Sequence, residues 1–441
     1  MESIPVAFVE ALREHFPGAI ADRVLSQLDA VPSTSVRLND AKDSNRFRDD
    51  DLVPWTKKGR LLSVRPEFSK DPLLHAGAYY VQDSSSMILE HILEQLTVDS
   101  DGLLALDLCA APGGKSIILS DYLQDKGFLL ANEIDQKRNA VLTENLLKWG
   151  STHHAVSQLS AAKLGQLENT FDLVLIDAPC SGEGMFRKDA FARTQWNADL
   201  VESCAKTQQD LVQAINPAIR SGGYLIYSTC TMNVRENEEQ IKQALQMGYK
   251  LVNIDMSGFE DRIITASNAE DTLGWYLLPG ISTGEGLFIS VLQKTRNEDV
   301  SDELDGLNLP EFTSDLVVPQ GAFTNQWSKK DIVYGVADRF WLLSRLPGNM
   351  AFKSVGLPVY QAKHTMQIPQ HGLAMLPQQN VDIHLDLDQA LDYLRGETLR
   401  LTVGLSKPWS LVGFENVPLG WVKVVPDRLN NHYPKHFRLR K

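Results

Sequence analysis

Apolar positions along the first 28 residues recur at helical spacing: Val6, Phe8, Val9, Leu12, Phe16, Ile20, Val24 and Leu28. Pro17-Gly18 interrupts the series, which predicts two short helices. From residue 101 to residue 294 the pattern changes to short apolar runs alternating with helical stretches, and that alternation predicts a parallel sheet with helices on its faces. Strands are expected at residues 103–108, 128–132, 171–176 and 224–228, with a later pair at 250–254 and 287–292. Helices are expected at 135–149, 199–215 and 235–246. Ligands of such sheets bind outside the carboxyl ends of the strands, so chemistry is sought in the residues just after each run.

Residues 295–315 hold seven acids and a single base, Arg296, with few apolar positions, and read as a linker. Four segments result: an N-terminal extension at 1–100, an α/β domain at 101–294, the acidic linker, and a C-terminal region at 316–441 whose last 19 residues carry six Lys or Arg against Asp427 alone. Removal of everything after Asp315 is expected to weaken RNA binding far more than cofactor binding. Bases at Arg37, Lys42, Arg46, Arg48, Lys57, Lys58, Arg60 and Arg65 surround Trp55, a mixture suited to an RNA groove or to a solvated surface.

At about 150 residues per domain, 441 residues make two or three domains. With 43% apolar and 22% charged residues the chain is an ordinary globular one. Its formal charge of −13 means that a nucleic-acid partner must be met by a local basic patch. The four cysteines, at 109, 180, 204 and 230, form no C-x-x-C pair, which argues for reduced thiols with no metal cluster. The charged first 30 residues and the lack of a long apolar run lead us to expect a cytoplasmic protein with no membrane partner.

The first strand runs into Leu106-Asp-Leu-Cys-Ala-Ala-Pro-Gly-Gly-Lys-Ser116, whose small residues let a backbone turn approach a ligand before a helix begins. Gly114-Lys115-Ser116 also resembles the end of a phosphate loop, but such a loop needs a glycine where Cys109 stands. Glu133, at the tip of the second strand, is placed to accept from both ribose hydroxyls of an adenosine cofactor; a simple helix cap at Asp135 is compatible with the same residues. Together the turn and Glu133 make a dinucleotide or S-adenosylmethionine site. Cys180, in Asp177-Ala-Pro-Cys-Ser-Gly-Glu-Gly184, and Cys230, in Ser228-Thr-Cys-Thr231, each follow a strand, where a thiolate can act as a nucleophile. Cys204, inside a predicted helix, reads as packing. Carbon C5 of cytosine is too poor a nucleophile to take a methyl group unaided, whereas a thiolate that adds at C6, with a carboxyl group at N3, makes it reactive.

At these residues the chain resembles the Sun/Nop-type family of RNA (cytosine-C5) methyltransferases: Cys-Ala-Ala-Pro-Gly-Gly-Lys at 109–115, Asp-Ala-Pro-Cys-Ser-Gly-Glu-Gly-Met-Phe-Arg-Lys at 177–188, and Tyr-Ser-Thr-Cys-Thr-Met-Asn-Val-Arg-Glu-Asn-Glu at 227–238. The resemblance implies a Rossmann-like, S-adenosyl-L-methionine-dependent methyltransferase core, with an N-terminal α+β extension and a C-terminal PUA-like RNA-binding module. It also implies that Cys230 is the nucleophile and that Cys180 assists release. Cofactor contacts are implied for Cys109, Ala110, Ala111, Pro112, Gly113, Gly114, Lys115, Glu133 and Asp177, with Lys115 and Asp177 also near the base. The acid that usually holds the adenine amino group has no counterpart in residues 155–165, which offer Ser157, Gln158 and Ser160. Pro418 to Lys423 and Asn430 to Lys435 look like the tail of bacterial small-subunit ribosomal RNA methyltransferases. The partner implied is therefore ribosomal RNA or the small ribosomal subunit, not DNA, for a monomeric enzyme. His432 and Tyr433 are candidates to stack on a base, with a packed role equally open for Tyr433. A transfer-RNA methyltransferase and a non-catalytic ribosome-assembly factor stay open, although the latter has no need for both strand-end cysteines.

Overall fold

Runs of Leu, Ile, Val and Phe without polar interruption become strands that are covered on both faces. In the computed structural model, residues 3–97, 102–124, 126–268, 271–295, 325–346, 350–363, 366–377, 379–400 and 407–439 are described. The parallel strands are β1 (Leu103–Asp107), β2 (Gly127–Asn132), β3 (His154–Ser157), β4 (Phe171–Asp177) and β5 (Ile219–Thr229). Three antiparallel strands come after them: β6 (Ile264–Ser267), β7 (Thr272–Leu277) and β8 (Leu287–Lys294), giving the order β6-β7-β8-β5-β4-β1-β2-β3. The order reverses beside β1, where β4 lies on one side and β2 on the other. Side chains alternate between the faces: Leu104, Leu106, Phe128, Leu130 and Val174 enter one apolar cluster, while Leu103, Ala105, Leu129, Ala131 and Leu173 enter the other.

The first cluster is closed by α1 (Val6–His15) and α2 (Gly18–Gln27), two short helices separated at Pro17 as the periodicity predicts. The second is closed in part by α3 (Gly114–Leu123) and α4 (Gln136–Trp149). Asp135 caps α4 by accepting from the Arg138 N–H at 2.8 Å. Helices α5 (Ala198–Ile215) and α6 (Glu238–Gln246) match their expected spans closely, α6 starting three residues late. Strand β5 begins five residues earlier than its apolar run. Its register against β4 jumps between Phe171 and Leu173, so that Arg220 to Gly223 are accommodated as a bulge, with Gly222 at φ 80°. The strand expected at 250–254 is the short Tyr249–Leu251, which pairs with β8.

Beyond Thr295 the acidic linker lies outside the described residues. The C-terminal region is no detachable tail. Phe352–Val355 adds a strand to the catalytic sheet, antiparallel to β3. Arg345 Nη1 pairs with Asp172 at 2.7 Å, and Leu342 and Leu346 join the first core cluster. The C-terminal sheet of Ile383–His384, Trp409–Phe414, Val417–Val425 and Arg428–Asn431 shares one apolar cluster with an N-terminal sheet of Thr34–Leu38, Asp51–Leu52, Gly59–Leu62 and Tyr79–Val81: Val36, Leu38 and Tyr79, with Leu73 of the helix Pro72–His75, pack in the same core as Tyr393, Leu419, Tyr433 and Phe437. Truncation after Asp315 would therefore remove part of that sheet's support together with the C-terminal module.

Candidate active site

The turn between β1 and α3 is shaped by its neighbours. The Leu108 and Ala110 N–H groups donate to Leu175 and Asn132 carbonyls at 2.9 and 2.8 Å, continuing the sheet past the last residue of β1. Two side chains of α4 hold the far side: Arg138 Nη2 donates to the Ala111 carbonyl at 2.7 Å and Asn145 Nδ2 to that of Pro112 at 2.8 Å. The Ala111–Pro112 peptide is cis, and Gly113, at φ 116°, turns the chain into α3. Glu133 is buried, with Oε1 accepting from the Asp135 N–H at 2.9 Å. Among the described residues its Oε2 has no hydrogen bond, and Arg138 Nη2 stands 3.5 Å away. A ligand hydroxyl would satisfy this orphaned acceptor, so the small-residue cradle and Glu133 fit an adenosine-type cofactor.

Ser116 is turned inward, its hydroxyl donating to Asp107 Oδ2 at 2.6 Å, while Lys115 Nζ pairs with Asp177 Oδ1 at 2.8 Å. Neither side chain is disposed toward a phosphate, which removes the basis of the phosphate-loop resemblance. Burial opposes the Lys115 charge, but Asp177 outweighs it and the amine is held above its ordinary range. Asp107 has no such partner; burial pushes its carboxyl up to about 7. Ser228, opposite Asp177 in the β4–β5 register, also donates to Asp177 Oδ1 at 2.8 Å.

Strands β4 and β5 lie side by side and parallel, so the residues just beyond them meet. Cys180 Sγ and Cys230 Sγ are 3.0 Å apart. That contact first, and burial second, raise the Cys180 thiol well above its ordinary value. Around them lies a polar network. Glu183 accepts from the Met232 N–H, Asn233 Nδ2 and Trp196 Nε1, while Glu236 accepts from the Ser181 N–H, Gln208 Nε2 and Asn233 Nδ2. Burial pushes Glu183 up to about 7. The site thus sets a thiol pair beside a charged Lys–Asp pair and, next to them, a cradle for an adenosine group.

The sequence model described as 16S rRNA methyltransferase RsmB/F matches residues 95–293. Those of the N-terminal domain of 16S rRNA methyltransferase RsmF and of the methyltransferase RsmF PUA domain match residues 4–84 and 380–439. Residues 95–293 belong to the RsmB/F methyltransferase family. The ribosomal RNA small subunit methyltransferase F of Shewanella baltica (strain OS185) is 29% identical over 97% of this chain and 95% of its own length. That of Shewanella oneidensis is 29% identical over 97% and 96%. Among solved structures, a methyltransferase homolog protein from Pyrococcus horikoshii is 25% identical with a TM-score of 0.56, covering 65% of this chain and 94% of that one. NSun6 from the same organism, solved with SFG, has a TM-score of 0.56 at 20% identity over 67% and 100%, a likeness of fold.

In this RsmB/F region the fold brings together Lys115, Asp177, Cys180 and Cys230 at one end of the sheet and places Cys109 to Gly114 and Glu133 next to them. Cys109 is half-buried, and its surroundings raise its thiol far above the ordinary range, chiefly by desolvation. Cys204 sits on α5, outside the sulfur pair, its thiol pushed up to about 11 by burial. Trp55 lines no groove: it is buried and donates from Nε1 to the Ser84 carbonyl at 2.7 Å. Of the bases near it, Arg37 is buried between Glu90 and Asp121, and Lys42 is buried on the Met375 carbonyl. Tyr433 is packed against His371 and Tyr393, whereas His432 is exposed, edge-on to Trp409. Sequence reasoning passed over Asp107, Ser228, Glu183 and Glu236. The last two lie inside the motif segments and are acids next to cysteine loops, the one signal that pointed to them. It also passed over Gln82, whose buried amide has no partner among the described residues and sits against Gly114.

Proposed function

We propose that this chain forms 5-methylcytosine in 16S ribosomal RNA, with S-adenosyl-L-methionine as methyl donor and through a covalent bond between Cys230 Sγ and C6 of the target base. The observation that carries this reading is the contact of the two sulfurs, 3.0 Å apart, beside the Lys115–Asp177 pair. The bound cofactor supplies an electrophilic methyl group. Cys109 to Gly114 would cradle it with backbone groups, and Glu133 would accept from its ribose hydroxyls.

The Cys230 thiolate adds to C6 and the ring's electrons move toward C5 and N3. The Lys115–Asp177 pair is placed at N3, where a proton of the pair, held on the ring nitrogen by the Asp177 carboxyl, neutralises the negative charge that develops. Once C5 carries the methyl group a base, solvent water included, takes its proton, the C5–H electrons restore the C5–C6 double bond, and the C6–S bond breaks with its electron pair returning to Cys230. Cys180, kept protonated by its raised pKa, suits a group that hands a proton to the departing sulfur rather than a second nucleophile. The target base must be unpaired or flipped to reach the sulfur. The N-terminal extension and the PUA-like module supply RNA-binding surface, the latter with exposed Lys423, Arg428 and Lys435. We expect a cytoplasmic, monomeric enzyme. The names of the curated relatives and the PUA match favour ribosomal over transfer RNA.

The test is methyl incorporation from labelled S-adenosylmethionine into small ribosomal subunits that lack the modification. Wild-type protein is expected to place label in 5-methylcytosine, and Cys230→Ala to lose at least about a thousand-fold in rate. Label in transfer RNA alone would overturn the substrate; equal activity of Cys230→Ala would overturn the covalent mechanism.

A further inference from the structure

The loops after β4 and β5 exchange carboxylates. Glu183, on the loop that carries Cys180, accepts from the Met232 N–H at 2.6 Å and Asn233 Nδ2 at 2.8 Å, both on the loop that carries Cys230. Glu236, on the Cys230 side, accepts in return from the Ser181 N–H at 3.0 Å and from the Ser181 hydroxyl, next to Cys180. The Asn233 amide reaches Glu236 as well, at 2.9 Å, and so touches both carboxylates. Gln208 Nε2, from α5, ties Glu236 to the Pro179 carbonyl at 2.8 and 2.9 Å. The Gly184 N–H donates to the carbonyl of Cys230 itself at 2.7 Å. Glu183 and Glu236 are 1% and 0% exposed.

Two carboxylates buried among neutral donors are a costly way to close a sheet end, since apolar side chains of the same volume often stabilise as well or better. What carboxylates add is direction: each oxygen fixes the loop opposite to it. We propose that Glu183 and Glu236 are paired positioning residues that hold the Cys180 and Cys230 sulfurs in contact, so that the thiol that adds to the base and the thiol that assists its release act as one unit. This inference rests on the roles given above to the two cysteines, but the contact itself is measurable without RNA.

The full-length protein is treated with diamide, which takes two electrons and two protons from a thiol pair and leaves an S–S bond, and the Cys180–Cys230 disulfide is followed by peptide mapping. Glu236→Gln is expected to form it about ten-fold more slowly at an unchanged Tm, since misplacement of the order of an ångström costs up to about a hundred-fold. Electrostatics alone predicts the opposite sign: removing a negative charge beside Cys180 eases ionisation and speeds oxidation. Ser181→Ala, which loses only the hydroxyl arm, should slow the reaction less and covers the case in which Glu236→Gln fails to fold. Disulfide formation at or above the wild-type rate in both variants overturns the proposal. In turnover, Glu236→Gln should lower kcat with KM for the RNA little changed and raise the fraction of protein trapped on RNA; unchanged kcat also overturns it. A wild type that methylates no RNA while the disulfide rate still depends on Glu236 would overturn the reaction and leave the clasp standing.

Discussion

Beyond β1 and β2 the chain is shaped by backbone and small side chains, whereas beyond β4 and β5 it is held by buried carboxylates. On the first side Ala110 continues the sheet, Gly113 turns at positive φ, and α4 supports two carbonyls of the turn. On the second side the peptide path is fixed by Glu183, Glu236, Asn233 and Gln208, and no glycine at positive φ other than Gly182 lies between Asp177 and Glu236 apart from the β5 bulge. The two constructions suit different tasks. A backbone cradle can follow an extended nucleoside with one carboxylate, Glu133, at its edge, while a thiol directed at a single atom gains from side chains that restrict its direction. The first side should be sensitive to added atoms and the second to deleted ones.

Deletion on the cysteine side is expected to have the largest effect. Cys180→Ala should cut turnover by about a hundred-fold or more and accumulate an RNA–protein adduct that survives denaturing electrophoresis. An alanine variant that turns over normally and leaves no adduct would break the assignment. Lys115→Met should come next, with a loss in kcat on the order of a hundred-fold from an uncompensated Asp177, read from single-turnover methyl transfer. If only KM for the RNA changed, Lys115 would serve binding and not the charge at N3.

Legibility in the sequence divides along the same line. The turn at residues 109–115 is local, so small residues after an apolar run were enough to find it, and four of the five parallel strands were readable from period and length; β3, only four residues long and opening on His154, was not. Strands β6 and β7 were missed because Thr272–Leu277 is short and interrupted by Gly274, and β6 is an edge strand with alternate residues exposed. The sulfur pair was legible once β4 and β5 were taken as neighbours. The carboxylate clasp was not, because Ser181 and Glu236 are 55 positions apart and Glu183 and Met232 are 49 apart. Local pattern likewise gives no sign that Trp55 and Tyr433 point inward, or that the C-terminal sheet shares a core with the N-terminal one; burial there is decided by docking of distant elements.

Addition on the cradle side is the next test in size. Gly113→Ala forces a Cβ into a φ of 116° and sets it 3.3 Å from Leu142 Cδ1. A strain of about 1–3 kcal/mol is expected there. If it is relieved by moving the turn, cofactor affinity should fall about ten-fold by calorimetry, while the rate of thiol oxidation at Cys180 and Cys230 stays that of the wild type. A variant that lost both equally would show that the two sides are not separately built.

A last test concerns Asp107, a buried carboxylate at the end of β1 with fewer donors than Glu183 or Glu236 and an effect confined to the pH dependence of stability. Asp107 takes a hydrogen bond from Ser116 on one oxygen, the other has none, and burial raises its pKa from 3.8 to about 7. Between those values the folded protein keeps a proton that the unfolded chain has released, so stability falls as pH rises through the window, by up to about 1.4 kcal/mol per unit, and levels off above it. Asp107→Asn should remove this contribution: wild-type Tm is expected to drop more steeply than that of the variant between pH 5 and pH 7. Glu183, raised to about 7 by burial in both proteins, adds the same slope to each and cancels in the difference. Parallel Tm profiles would mean that Asp107 ionises in the folded state much as it does in the unfolded chain.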